Sequence, residues 1–135
     1  MNPDWEEVTE AELAVLQLLW DQGPSTIGQL TDALYPDGTD AQYATVQMLL
    51  RRLEEKGHVT RDRSNRAHIF SALTPREVLV GKRLRAMAEK LCGGLMGPLL
   101  THLVKAETLT PQERQQLRQL MDELDSKGRQ KDRRR

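Results

Sequence analysis

Between Thr45 and Arg66 the chain carries the residue types that grip nucleic acid. Arg51 and Arg52 are neighbouring guanidiniums, able to bond phosphate or to fork onto a guanine edge. The plainer alternative is a solvated arginine paired with Glu54 or Glu55. Gln47 can bond adenine bidentately and Met48 can pack on a thymine methyl, although each is equally well an ordinary exposed residue. Thr45 suits a phosphate ligand near the start of a helix, where backbone amides attract anions. Further on, Arg63, Asn65 and Arg66 surround a tight Ser64-Asn65 turn. Arg66 fits a phosphate or minor-groove contact, and Asn65 is equally explained by its tolerance of turn conformations.

No rival chemistry is legible. His58, His68, His102 and the single cysteine, Cys92, lack zinc-ligand spacing, so no metal or cofactor is expected. The paired carboxylates Glu6-Glu7 and Glu54-Glu55 are adjacent in sequence and point apart on a helix. No glycine-rich phosphate loop, nucleophile elbow or triad occurs, so the chain is not expected to be an enzyme. One cysteine cannot form an internal disulfide, no run approaches a membrane span, and the acidic start lacks the order of a secretory signal. A cytoplasmic protein without membrane contact is expected.

The 135 residues are 38% hydrophobic and 30% charged, a soluble globular balance, and with aromatics at only 4% the core must be aliphatic. Net charge is zero, but it is unevenly distributed. Residues 1–40 hold nine acids and no Lys or Arg, whereas residues 41–73 hold Arg51, Arg52, Lys56, Arg61, Arg63 and Arg66 against Glu54, Glu55 and Asp62. Such a field can turn one edge toward phosphate and the other away.

These side chains need elements to aim them. Thr9-Glu10-Ala11-Glu12 is a capping box flanked by a Val8/Leu13 staple; Leu13, Leu16, Leu19 and Trp20 follow as a helical stripe closed by Gly23-Pro24. A second box at Thr26-Ile27-Gly28-Gln29 opens a short helix with Ile27, Leu30, Ala33 and Leu34 on one face. A third helix runs from Asp40 to Lys56 on a stripe of Val46, Leu49, Leu50 and Leu53, with Gly57 fit for a left-handed stop. Its opposite face is centred on Ala44, Gln47, Met48, Arg51 and Glu55, flanked by Thr45 and Arg52. His58–Arg63 and Arg66–Leu73 read as two strands. Three helices and a basic-tipped hairpin give a winged helix over residues 1–73, its second and third helices forming a helix-turn-helix.

Leu73-Thr74-Pro75-Arg76-Glu77 starts another helix, with Val80, Leu84, Met87, Ala88 and Leu91 as its stripe. Cys92-Gly93-Gly94 breaks it. Met96–Ala106 carries Leu99, Leu100, Leu103 and Val104, and a helix from Thr110 carries Leu117, Leu120, Met121 and Leu124. Residues 74–126 are too few to bury these stripes alone and read as half of a dimer core. Residues 127–135, with six bases and one acid, read as a disordered basic tail. The expected class is therefore mainly α (α+β): an N-terminal winged helix with a two- or three-stranded wing, then a three-helix dimerisation domain.

Over roughly residues 8–125 the chain resembles the penicillinase-repressor family, the BlaI/MecI/CopY type of winged-helix regulators. The likeness is carried by Thr9-Glu10-Ala11-Glu12 with Leu16, Leu19, Trp20 and Gly23-Pro24, then Thr45-Val46 with Leu49-Leu50-Arg51-Arg52-Leu53 and Lys56-Gly57. Arg66-Ala67-His68-Ile69-Phe70 and Leu73 continue it, as do Gly93-Gly94, Leu99–Val104 and Leu109-Thr110-Pro111 with Leu117 and Leu120. The resemblance implies a homodimeric repressor of adjacent genes on a pseudo-palindromic double-stranded DNA operator, with the third helix in the major groove and the wing on the backbone. Resistance-type relatives are released when a membrane sensor protease triggers cleavage between Asn and Phe. Counted back from Leu109-Thr110-Pro111, that pair falls here at His102-Leu103, so proteolytic induction would need a sensor protease of altered specificity. Copper-type relatives bind metal through paired Cys-x-Cys motifs, which this chain lacks. Relatives also tend to carry a basic residue at the position of Ala44 and Thr at that of Met48. Because residues 1–73 total six bases against twelve acids, a winged-helix protein-interaction module without DNA binding stays open.

Overall fold

The computed structural model describes residues 8–133. The acidic start at residues 1–7 and the last two arginines of the basic tail lie outside the described residues. In chain order the elements are α1 (Glu10–Gln22), α2 (Ile27–Leu34), α3 (Asp40–Glu55), β1 (Val59–Asp62), β2 (Ile69–Ala72), α4 (Arg76–Cys92), α5 (Gly97–Lys105) and α6 (Pro111–Arg133). Contacts divide the chain within α4, into one compact unit ending at Leu84 and a second beginning at Arg85.

Each of the first three helices starts where its side chains satisfy orphan backbone donors. Thr9 and Glu12 exchange hydrogen bonds at the head of α1, each at 3.2 Å, and Thr26 and Gln29 do the same for α2. Gln42 Oε1 accepts the Thr39 N–H at 2.7 Å at the head of α3, a Thr-x-x-Gln signal as readable as the other two. Gly57 follows α3 at φ 83°, a left-handed stop that suits glycine.

The first unit packs α1, α2 and α3 around Val15, Leu16, Leu19, Leu30, Val46, Leu49, Leu50 and Leu53, closed by Val8, Val59, Phe70 and Leu79. Each such fully buried aliphatic or aromatic side chain contributes about 1.5–3 kcal/mol. On α1 the buried face centres on Val15, with Leu13 and Trp20 only partly covered; on α2 Thr31 is buried, its hydroxyl donating to the Ile27 carbonyl at 2.7 Å, and Ala33 is exposed.

The sheet is antiparallel, with Val59 opposite Ala72 and Arg61 opposite Phe70. Ser25 adds an isolated bridge to Phe70, its N–H donating to the Phe70 carbonyl at 3.0 Å and its carbonyl accepting at 2.8 Å. The strands are shorter than the expected 58–63 and 66–73. Asp62 Oδ1 accepts from the Ser64 N–H at 2.9 Å and hydroxyl at 2.6 Å, a local turn that draws the chain out of the ladder. The expected tight Ser64-Asn65 turn is thus a longer connection over residues 63–68.

The start of α4 belongs to this unit. Trp20 Nε1 donates to the Thr74 carbonyl at 2.8 Å, Arg76 meets Asp21 at 2.5 Å and lies over the Trp20 ring, and Arg83 donates to the Val8 carbonyl. Leu79, not Val80, is the residue this packing buries. In the second unit, Gly93 and Gly94 take positive φ, and the Gly94 N–H returns to the Ala88 carbonyl at 3.0 Å. α6 continues to Arg133, so the basic stretch expected to be a disordered tail is helical as far as it is described. Its Lys, Arg and Gln are good helix formers, and Glu123/Lys127 and Asp125/Arg129 stand at the favourable i, i+4 spacing.

Candidate nucleic-acid interface

α3 buries Val46, Leu49, Leu50 and Leu53, which at 100° per residue turns Ala44, Met48, Arg51 and Glu55 directly outward, with Gln47 and Arg52 on the flanks. All six are exposed; Thr45 is half-buried and its hydroxyl donates to the Ala41 carbonyl at 3.0 Å. Arg63, Asn65 and Arg66 are exposed in the connection between the strands, beyond the ladder that ends at Asp62–Ile69.

The basic residues of this unit fall into two groups. Arg61 forks onto Glu54, Nε to Oε2 at 2.9 Å and Nη2 to Oε1 at 3.1 Å, and lies 4.8 Å from the centroid of the Phe70 ring across the sheet. This ties the last turn of α3 to the first wing strand and fixes the wing's base. Lys56 reaches back to Glu12, with bonds of 2.7 and 2.9 Å to a carboxylate with no solvent exposure. Burial alone would push the Glu12 carboxyl up, but the Lys56 and Thr9 hydrogen bonds outweigh it and hold it below its ordinary value. Arg51, Arg52, Arg63 and Arg66, in contrast, make no ion pair or side-chain hydrogen bond among the described residues. The acid at Glu54, offered by sequence as a partner for Arg51 or Arg52, is engaged by Arg61 instead.

Beneath the site, His58 is buried, its Nδ1 2.7 Å from the Thr74 hydroxyl and its Nε2 without a partner among the described residues. Burial first, then the nearby Lys56 and Lys82 charges, lower its pKa below the ordinary value, with Glu12 opposing. Among the described residues no three His, Cys, Asp or Glu side chains gather as a metal ion requires.

The residues expected at a dimer core lie on α4, α5 and α6. Leu84, Met87, Leu91, Leu100, Leu103, Leu120, Met121 and Leu124 are exposed in the single chain, from 41% at Leu100 to 69% at Leu91, while Leu99 and Leu117 are half-covered. His102 and Leu103 are both exposed within α5. No described helix is long and apolar enough to cross a membrane.

Three helices, a two-stranded hairpin and a bridging residue ahead of α2 define a winged helix, the architecture of a transcription regulator. Residues 8–123 match the family model described as "Penicillinase repressor", and the chain belongs to that family. It is 33% identical over 119 residues to "Transcriptional regulator BlaI" of Mycobacterium tuberculosis, covering 87% of this chain and 84% of that one. It is 24% identical over 123 residues to a "Penicillinase repressor" of Staphylococcus aureus, covering 90% and 95%. A solved MarR-family protein from Bacillus stearothermophilus aligns with TM-score 0.46 at 23% identity, over 88% of this chain and 76% of that one. The chain is accordingly a transcriptional repressor and not an enzyme.

Proposed function

We propose that the repressor acts as a homodimer on a pseudo-palindromic operator, each protomer laying α3 in the major groove of one half-site. Gln47, Met48 and Arg51 face base edges in this reading. Arg52 meets the flanking phosphates, as does Thr45 once its hydroxyl turns from the Ala41 carbonyl, and Arg63, Asn65 and Arg66 meet the backbone or minor groove beyond. The observation that carries it is the division of the cations: four exposed guanidiniums on α3 and the wing have no ion-pair partner among the described residues, while Arg61 and Lys56 are engaged by carboxylates. The exposed apolar residues of α4, α5 and α6 support the dimer, since patches of this kind mark interfaces.

Release follows from the same dimer. Cleavage at His102-Leu103 would cut α5 and remove the paired grip, and the imidazole and leucine there call for a sensor protease of altered specificity. One thiol cannot supply a multi-thiolate copper site, so copper does not release the protein. The test is selection of duplexes by the full chain from a random pool. Enriched half-sites centred about 10–10.5 bp apart, or a multiple of that, are expected. A pool that enriches nothing refutes the reading.

A further inference from the structure

Between the exposed Asp40 at its start and the Arg51/Glu55 end, the outward face of α3 is apolar along its middle. Ala41, Ala44 and Met48 stand at i, i+3 and i+7, all exposed and all turned away from Val46, Leu49, Leu50 and Leu53. Met48 is 42% exposed and takes no part in the core. Thr45, the hydroxyl beside this ridge, already donates its proton to the Ala41 carbonyl. Gln47 on one flank and Arg51 one turn on are the only amide and guanidinium pointing the same way along Asp40–Glu55, apart from Arg52 at the edge.

Apolar side chains cannot bond the donors and acceptors of the major groove, where the one apolar group is the 5-methyl of thymine. The two alanines let the helix sit close to the bases, and the flexible thioether of Met48 adapts to a methyl of either strand. The ridge is bordered by Arg51 and Arg52, which suit a phosphate-lined groove. We infer that Met48, with Ala44 beside it, is a specificity-determining residue that reads a thymine methyl in each half-site. This rests on the operator-binding reading above.

The test uses the full chain and the duplex enriched from the random pool, resynthesised with each thymine replaced singly by deoxyuridine, which removes only the methyl. At the contacted position affinity should fall about fourfold, and about fifteenfold when the symmetry-related thymine is replaced too. Met48→Ala should lose a similar factor on the thymine duplex and respond to deoxyuridine by less than about twofold, whereas Met48→Leu, still apolar, should keep the sensitivity. Unchanged dimer mass and melting of both variants rule out a folding defect, as expected for an exposed residue. Equal binding of every deoxyuridine duplex, or undiminished sensitivity in Met48→Ala, overturns the inference and leaves operator binding standing. Failure of the chain to bind any duplex overturns both.

Discussion

Arg66 and Arg61 look alike in sequence, five residues apart in the basic segment, yet only Arg61 is held by a carboxylate, while Arg66 is exposed and without an ion pair among the described residues. The informative perturbation is to truncate each to alanine and follow operator affinity across salt. If Arg52, Arg63 and Arg66 all meet phosphate, a dimer neutralises about six phosphates and log Kd rises with log salt at a slope of about 5. Between about 50 and 200 mM salt, affinity then falls by about 2 × 10³. Arg66→Ala removes a contact from each protomer, lowers the slope by about 2, and cuts that fall to about 150-fold. Arg61→Ala should leave the slope alone, because its guanidinium forks onto Glu54 and covers Phe70. It should instead weaken binding by a salt-independent factor and lower stability by about 1 kcal/mol, the value of a charge-assisted pair that remains partly open to solvent. Fluorescence anisotropy on one labelled duplex at four or more salt concentrations measures both effects. Equal slope changes in the two variants, or no change when all four outward arginines are removed, would refute the division of the cations.

Three further outcomes test the rest of the structure. Leu103→Asp combined with Leu120→Asp should leave the chain monomeric by light scattering and weaken operator binding by about 10²–10⁴, through lost effective concentration; a dimer that survives both charges would show that α5 and α6 do not form its core. Lys56→Met should strand the buried Glu12 carboxylate and cost about 3 kcal/mol in urea unfolding, and adding Glu12→Gln should recover most of it; a loss under about 1 kcal/mol would mean that Glu12 finds another partner. Stability should also fall on acidification in two stages. The folded-state pKa of His58 lies below its ordinary 6.5, so the unfolded chain takes up the proton first, and stability drops as pH falls from about 6.5 toward that lower value. Glu12, lowered from 4.5, adds a second loss below about that pH, and His58→Gln should abolish only the first; a flat profile between pH 7.5 and 5 contradicts the lowered His58 pKa.

What could be read from the sequence was local. The boxes at Thr9 and Thr26, the glycine stop at Gly57 and the stripe of α3 involve residues three or four apart, so their geometry is written in the spacing. The Thr39–Gln42 cap and the Asp62–Ser64 turn, also local, were legible but went unread, and the rest of what escaped depended on distant partners. Glu12 reads as a capping residue, and its burial follows only from Lys56, 44 residues on. Leu79 and Val80 are equally apolar neighbours, and only the docking of α4 on α1 decides that Leu79 goes inside. Arg61 becomes structural through a strand register that puts it opposite Phe70, whereas Arg63 and Arg66, past the end of that register, have no ion-pair partner among the described residues.

The excess of acid over base in residues 1–73 shows how much this distinction matters for function. Counted from the sequence, it argues against a polyanionic partner. In the fold, Glu12 is closed off beneath Lys56, Glu54 is held by Arg61, Asp21 by Arg76, and Glu10 meets Arg83 at 3.4 Å. Four acids are thus matched inside the unit, two of them by bases from α4 that lie beyond Leu73 and outside the count. In this unit the guanidiniums without an ion pair among the described residues are the ones on α3 and the wing tip. In the operator-binding reading it is these, with the exposed Glu55 beside them, that a phosphate backbone would meet, so position and pairing rather than net charge set the field there.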